Sequence, residues 1–383
     1  MRCAAALSTA RESESAIAEL ADRLAEGMAG EPADLAVLFA SMHHAGSLGR
    51  AGSELSGRGL GVHVLGCTGE TIVGEGREVE GEPALAALAI RLPGVDLRPI
   101  RIDDSDDGVE VLRGLGADSM LLLGDPFTFG ADPWLKRVNA EVPGLRVLGG
   151  MASGSHAPRE NRLLLDGTVY EEGAVAIALG GQVAVRTLVS QGCRPIGRPL
   201  IVTRTERNLI RELGRRPSVE VLREIFEGLP PDDQERVQEG LHIGRVINEY
   251  QEEFRRGDFL IRNVMGADDA GGIAITDVVR VGQTVQFHVR DAGTADEDLR
   301  GLIDNERLDH PGSRVVGALL FSCNGRGTRL FPEPDHDVGV LRERFGPIPV
   351  AGFFAMGELG PIGGQNFLHG YTASVVLFEE PEG

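Results

Sequence analysis

An α/β to α+β fold, with layered sheets and helices built from a repeated strand-helix-strand-strand unit, is the class this sequence predicts. Three observations carry the prediction. Apolar runs of strand length recur and stop at glycine, helix-start signals fall between them, and the separations from Asp34 to Gly66, Asp118 to Gly150 and Gly317 to Gly352 are nearly constant. Such spacing implies a supersecondary unit repeated within one chain, its glycine ends gathered around pseudo-symmetric sites.

Residues 1–7 read as a short edge strand, and Ser8 or Thr9 caps a helix through about Gly27 with Ala16, Leu20 and Leu24 on one face. The first copy follows. LAVLFA (35–40) is a strand, 41–60 a polar, glycine-dotted connection, VHVLG (62–66) a strand ending in Cys67-Thr68-Gly69-Glu70, and 83–92 a third strand. In the second copy Asp106-Asp107 caps a helix to Leu115, SMLLLG (119–124) is a strand, and Asp132-Pro133 opens a helix with proline in its first turn. LRVLGG (145–150) leads into Met151-Ala152-Ser153-Gly154, and 173–179 continues the unit. The third copy lies in residues 315–378, where one apolar run ends in Ser322-Cys323-Asn324-Gly325-Arg326-Gly327 and a second in Gly352-Phe353-Phe354-Ala355-Met356-Gly357-Glu358.

Between the second and third copies the pattern changes. Residues 183–202 read as strand, turn at Gly192-Cys193-Arg194-Pro195, strand; helices follow over 205–213 and 218–226. Pro230-Pro231 and a shift in composition place a junction within 204–231, dividing the chain into an N domain, 1–205, and a C domain, 206–383. Beyond it 271–278 and 284–289 alternate as an antiparallel pair around Gly282-Gln283, and 294–302 is a capped helix.

Composition excludes several functions. With 58 acidic residues against 38 basic ones and a net charge of -20, nucleic acid and anionic membranes are expected to be repelled. No apolar run approaches the ~20 residues of a membrane helix, and the N-terminus does not read as a signal peptide. Cys3, Cys67, Cys193 and Cys323 stand far apart with no CxxC pair, the usage of reduced thiols in a cytoplasm. Lys136 is the sole lysine, so no Walker-type phosphate loop exists, and Gly325-Arg326-Gly327 lacks the third glycine and acidic residue of a dinucleotide fingerprint. No cofactor and no metal are expected: His43 and His44 are adjacent at a strand end and point to opposite faces, while His336 between Asp335 and Asp337 reads as a helix start.

Polar groups at the strand ends are the candidate site. Cys323, with Arg326 nearby and His369 and Asn366 later, has the residue types of a thiol nucleophile, base and orienting amide; it also reads as a small packed residue, and that reading keeps it as a pocket-lining group. Glu70 and Glu358 cap backbone amides or accept a ligand ammonium. Arg290 either pairs with Asp291 or meets a ligand carboxylate in a bidentate fork.

LGCTGE (65–70), GDPFTF (124–129), LGGMASG (148–154), GDFLIRNVMG (257–266), VGQTVQFHVRDAGTA (281–295), LLFSCNGRG (319–327) and GFFAMGELGPIGGQNFLHGYTA (352–373) together resemble the FIST N and FIST C domains, in order and over nearly the whole chain. The resemblance implies a non-catalytic, small-ligand sensory module of bacterial type that takes an amino acid or related metabolite and works with a signalling protein partner. Read from the polar groups at the strand ends, the ligand-facing set is Cys67, Thr68, Glu70, Ser153, Arg290, Cys323, Asn324, Arg326, Glu358, Asn366 and His369. Arg326 or Arg290 takes the carboxylate, Glu358 or Glu70 the ammonium, and Asn324, Asn366 or His369 orients it. A thiol enzyme using Cys323 with His369, and a protein-interaction scaffold, are the rival readings.

Overall fold

Three stretches of the chain lay down the same succession of elements in this computed structural model, which describes residues 1–103, 109–181, 184–251, 253–254 and 257–380. The first comprises β1 (Arg2–Ser8), α1 (Ser13–Met28), β2 (Leu35–Ser41), α2 (Leu48–Gly57), β3 (His63–Gly69), the hairpin β4 (Thr71–Gly74) and β5 (Arg77–Glu80), and β6 (Leu85–Arg91). The second repeats it as β7 (Val95–Ile102), α3 (Val109–Arg113), β8 (Ala117–Gly124), α4 (Ala131–Glu141), β9 (Arg146–Met151), β10 (Leu163–Leu165) and β11 (Thr168–Tyr170), and β12 (Ala174–Gly181).

A third begins with β13 (Val185–Gln191), and the chain then builds a separate compact unit, Ser190–Asp298. That unit holds β14 (Cys193–Glu206), β15 (Leu209–Leu213), β16 (Arg216–Pro217), α5 (Ser218–Glu227), α6 (Pro231–Glu239), β17 (Leu241–Val246), β18 (Phe259–Ala267), β19 (Ile273–Ile275) and β20 (Thr284–Arg290). The third repeat resumes with α7 (Ala292–Asp309), β21 (Val315–Cys323), α8 (His336–Phe345), β22 (Val350–Ala355), the hairpin β23 (Glu358–Ile362) and β24 (Gln365–His369), and β25 (Thr372–Glu379). Met1–Val189 and the chain from Leu299 onward form the larger unit.

The larger unit carries three six-stranded sheets of identical design, ordered β1-β6-β2-β3-β10-β11, β7-β12-β8-β9-β23-β24 and β13-β25-β21-β22-β4-β5. In each, the central strand runs parallel to the strand after its helix and antiparallel to the last strand of its own repeat. Each hairpin leaves its repeat and extends the sheet of another. β4 pairs with β22, β10 with β3 and β23 with β9, so the exchange closes in a ring.

Side-chain alternation explains why the central strands read as unbroken apolar runs. Leu35, Val37 and Phe39 face a core shared by all three sheets, while Leu38 and Ala40 face α1 and α2. In the shared core the rings of Phe39 and Phe321 lie 5.1 and 5.8 Å from that of Phe353, spacings that add roughly 0.5–1.5 kcal/mol per pair beyond burial. Trp134 and Leu135 of α4 cover the second sheet, and Leu299 of α7 and Leu341 of α8 the third.

Several expectations are corrected. Gly66 and Gly352 do not end their strands: β3 and β22 run three residues further, and the glycines sit in the interior because a Cβ there would stand 2.5 Å from the Leu38 carbonyl oxygen and 1.9 Å from that of Leu320. The matching residue of the second sheet is Gly149, opposite Leu122 as Gly66 is opposite Leu38, and its neighbour Gly150 takes the next position. The polar stretch 41–60 folds as a 3-10 turn and α2, since Leu48, Ala51 and Leu55 keep helical spacing. Helix α1 begins at Ser13, not after Ser8 or Thr9; the Ser8 hydroxyl accepts from the Ala10 amide at 3.3 Å instead. The Asp106-Asp107 cap lies outside the described residues.

In the smaller unit the strands close on themselves, β14 pairing with both β20 and β15, around Val202, Ile210, Ile243, Val285 and Phe287. The helix expected over 205–213 is a hairpin: Arg207, in the left-handed region at φ 55°, turns β14 into β15, and Glu206 pairs with Leu209. The two alternating segments around Gly282 do not pair with each other. β19 bonds to β15 and β18, β20 to β14 and β17.

Candidate functional site

β21 and β22 run parallel from Ala318 opposite Val350 to Cys323 opposite Ala355 and stop together. Polar groups collect where parallel strands end, because backbone amides and carbonyls lose their ladder partners there. The Asn324 amide still donates to the Ala355 carbonyl at 3.1 Å, and the Arg326 amide folds back to that of Cys323 at 2.8 Å, which drives the Arg326 side chain into the protein.

Arg326 is 1 % exposed. Its Nε and Nη2 each donate to Asp337 of α8 at 2.7 Å, and its guanidinium lies 5.2 Å from the Phe331 ring, which stacks on His336 at 3.4 Å. Asp337 also accepts from Ser322 Oγ and lies 2.9 Å from His336 Nδ1. Burial alone would raise the Asp337 carboxyl, but the charge and hydrogen bonds of Arg326 outweigh it and hold it well below the usual carboxylate range. Glu78 reaches the same cluster from the exchanged hairpin β4–β5 and accepts from the Val338 amide at 2.9 Å. Burial first, and the charge of Asp337 second, push its carboxyl upward.

Glu358 opens β23 opposite Gly150 and is fully buried. Its Oε2 accepts from Thr372 Oγ1 at 2.7 Å and the Thr372 amide at 3.2 Å. Burial pushes its carboxyl up to about 8, against those hydrogen bonds and the charge of Arg326. Arg329 grips Glu70 with both terminal nitrogens and donates to the Asn324 carbonyl at 2.8 Å. Ser153 joins the three sheets: its hydroxyl accepts from the Glu70 amide at 3.0 Å and donates to the Phe354 carbonyl, and its amide donates to that of Thr68 at 3.2 Å. Four buried polar atoms of this rim and its cluster have no hydrogen-bond partner among the described residues: Asn324 Oδ1, Arg326 Nη1, Glu358 Oε1 and Glu78 Oε2.

Thr68, Glu70, Ser153, Cys323, Asn324, Arg326 and Glu358 are thus brought to one rim, although the fork of Arg326 is occupied by Asp337. The remaining candidates lie elsewhere. Cys67 is wholly buried in the core shared by the sheets; Cys323 ends β21, and its counterpart in the first repeat is Ser41 of β2. Arg290 belongs to the smaller unit, where Asp291 pairs with Arg194 and Arg236. His369 sits across from Glu358 in the hairpin, but its Nε2 lies 2.9 Å from the Gly360 carbonyl. Asn366 is turned to α4, its amide nitrogen donating to Asn139 and the Leu145 carbonyl and its oxygen accepting from the Val147 amide at 2.8 Å. Asn366→Ala is expected to lower stability by about 2 kcal/mol through the stranded backbone groups, without altering ligand affinity, as chemical denaturation and a binding titration would check.

Asp337, Glu78 and Arg329 were not among the expected site residues. Asp337 lay within the cluster read as a helix start, which it is, for α8 begins at His336; Arg326 had no visible partner in sequence. Among the described residues no group of three or more His, Cys, Asp and Glu could hold a metal ion, and no helix is long and apolar enough to cross a membrane.

Two family models match the chain, the FIST N domain over residues 34–216 and the FIST C domain over 218–361. An uncharacterized protein of Mycobacterium tuberculosis is 41% identical over 383 residues, covering 99% of this chain and 100% of its own. One of Mycobacterium bovis is 42% identical over 388 residues, covering 99% of each.

Proposed function

The chain belongs to the FIST family, and from that premise we propose that it is a small-ligand-binding sensory protein whose rim at the ends of β21 and β22 takes an amino acid or related zwitterion. The family is linked to small-ligand sensing. The observation that carries the reading is the set of unpartnered buried atoms: Arg326 Nη1 is a cationic donor, Glu358 Oε1 and Asn324 Oδ1 are acceptors. An unmet buried polar group costs about 1–3 kcal/mol, so a ligand offering a carboxylate to the first and an ammonium to the others recovers that deficit. Glu70 is held by Arg329, and Glu78 has one oxygen on the Val338 amide beside Asp337, so the ammonium is assigned to Glu358. Sensing then consists of ordering the turn 324–329 against the hairpin β23–β24, and a signalling partner reads that change.

A thermal-shift screen of amino acids and related metabolites tests the reading. A ligand at a hundred times its dissociation constant adds about 2.7 kcal/mol of stability. Asn324→Ala and Glu358→Gln are expected to weaken that ligand at least tenfold, the loss of one charge-assisted hydrogen bond. Silence across a broad library would remove the reading.

Its pH dependence has a definite sign. The ammonium needs Glu358 ionised, and its carboxyl in the unliganded protein stands at about 8. Below that value binding must first expel a proton, so affinity rises by up to about tenfold per pH unit toward pH 8 and levels off above it. Affinity that falls over this range, for a ligand whose own groups do not titrate there, would contradict the assignment of Glu358.

A further inference from the structure

At the opposite end of the third sheet, where β21 and β22 begin, a cleft of about 810 Å³ opens beside β1, α7 and the end of α8. This volume lies within the range of roughly 300–1,000 Å³ that small-molecule sites occupy. Its wall carries Arg2, Arg91, Arg307, Arg314 and Arg344, with Val316, Phe345 and Ile348 supplying apolar surface between them.

Donors and acceptors in the cleft do not balance. The acids are already engaged: Glu306 and Glu379 are both held by Arg186, at 2.8 and 2.6 Å, and that arginine does not line the cleft. One carboxylate, Glu31, serves both Arg2 and Arg91. Arg314 reaches Glu380 only at 3.4 Å, and Arg307 meets no carboxylate among the described residues. Arg344 pairs with Asp304 through Nη2 at 3.3 Å, while its Nε is buried with no acceptor; Ser313 Oγ, on the same wall, is buried without a partner as well. The four glutamates of the wall, Glu31, Glu306, Glu379 and Glu380, are each committed to an arginine, Glu306 also to His310. That leaves Arg307, Arg344 Nε and Ser313 Oγ without a negatively charged acceptor of their own among the described residues.

We propose that this cleft is a second binding site, for a small organic anion, a carboxylate or phosphate ester joined to an apolar body. Arg344 Nε, Ser313 Oγ and the Arg307 guanidinium meet the anion, and the apolar surface around Phe345 takes the body. The chain's charge of -20 opposes any anion at long range, but charges beyond about 8 Å are screened at physiological ionic strength, so the wall itself decides, where Arg2, Arg91, Arg307, Arg314 and Arg344 outnumber Glu31, Glu306, Glu379 and Glu380.

Calorimetric titration with phenyl phosphate and with benzoate, against neutral benzyl alcohol, tests this. At least one anion should bind saturably, at least tenfold more tightly than benzyl alcohol, and more weakly as salt rises. The double variant Arg307→Ala/Arg344→Met should lose at least tenfold for the anion while keeping the wild-type thermal response to amino acids, which separates this cleft from the rim. Ser313→Ala, a milder change checked by its melting curve, should lose threefold or more. No saturable heat with either anion, equal binding of benzyl alcohol, or indifference of a folded variant would each overturn the proposal.

Discussion

Gly352→Ala is expected to destabilise the protein by about 3 kcal/mol or more, far beyond the effect of an ordinary added methyl. The Cβ would lie 1.9 Å from the Leu320 carbonyl oxygen, a backbone atom that cannot yield without breaking the β21–β22 ladder. The clash recurs by design. Gly149 meets the Leu122 oxygen at 2.0 Å, with a φ of +134° that alanine resists, and Gly66 meets that of Leu38 at 2.5 Å. Gly149→Ala should therefore rank beside Gly352→Ala and Gly66→Ala below both. Gly339→Ala and Gly301→Ala, on α8 and α7 with open space at the Cβ position, supply the contrast: helix propensity predicts a gain of up to about 1 kcal/mol each. Urea denaturation of the five variants checks the ranking, and a Gly352→Ala protein with the wild-type midpoint would show that the close approach is not a structural requirement.

These glycines also show how far the sequence could be read. The spacing of Gly66, Gly150 and Gly352 exposed the threefold repeat, because a backbone contact needed once per sheet leaves a glycine in each copy, although in the second sheet the contact falls one residue earlier, at Gly149. It could not say that the strand continues beyond them, since a glycine inside a strand and one after it look alike in sequence. The exchanged hairpins were illegible for a different reason. β4, β10 and β23 bond to strands of other repeats, and nothing in a four-residue run such as Thr71–Gly74 names a partner nearly 280 residues away at Gly352. Glu78 therefore reached the Arg326 cluster unannounced. The stretch 205–213 misled through charge: Glu206, Arg207, Arg211 and Glu212 imitate an exposed helix, but Ile210 and Leu213 are buried inside the smaller unit, and an Arg207-Asn208 turn provides the left-handed residue a tight hairpin needs.

The rim was legible as residue types and hidden as pairing. Cys323, Asn324, Arg326 and Glu358 stood out because polar groups interrupt apolar runs. Arg326 was one of two arginines expected to take a ligand carboxylate; Asp337 fills its fork from a helix whose sequence offers only a start signal. Asn366 and His369 belong to the same motif in sequence, yet β24 carries them to the second sheet, where their hydrogen bonds hold α4 and the hairpin itself.

Removing Asp337 should be the most damaging change at the rim. Asp337→Ala leaves Arg326, 1 % exposed, with neither of its two 2.7 Å partners, and breaking one side of such a buried pair costs about 3–5 kcal/mol. The paired replacement Arg326→Met with Asp337→Leu removes both charges and should recover most of that loss, the outcome expected where burial of the charges rather than their attraction dominates. A double variant no more stable than Asp337→Ala would mean that Ser322 and His336, which also meet Asp337, carry the cluster. Asp337→Asn separates charge from geometry and extends the test to binding. With the carboxylate neutralised, the full charge of Arg326 acts on Glu358, whose carboxyl already feels it, and pulls that carboxyl down from about 8. The pH at which ligand affinity levels off should fall with it, since the proton to be expelled is then held less tightly. A plateau unmoved in a folded Asp337→Asn protein would show that Arg326 and Glu358 do not act on one ligand.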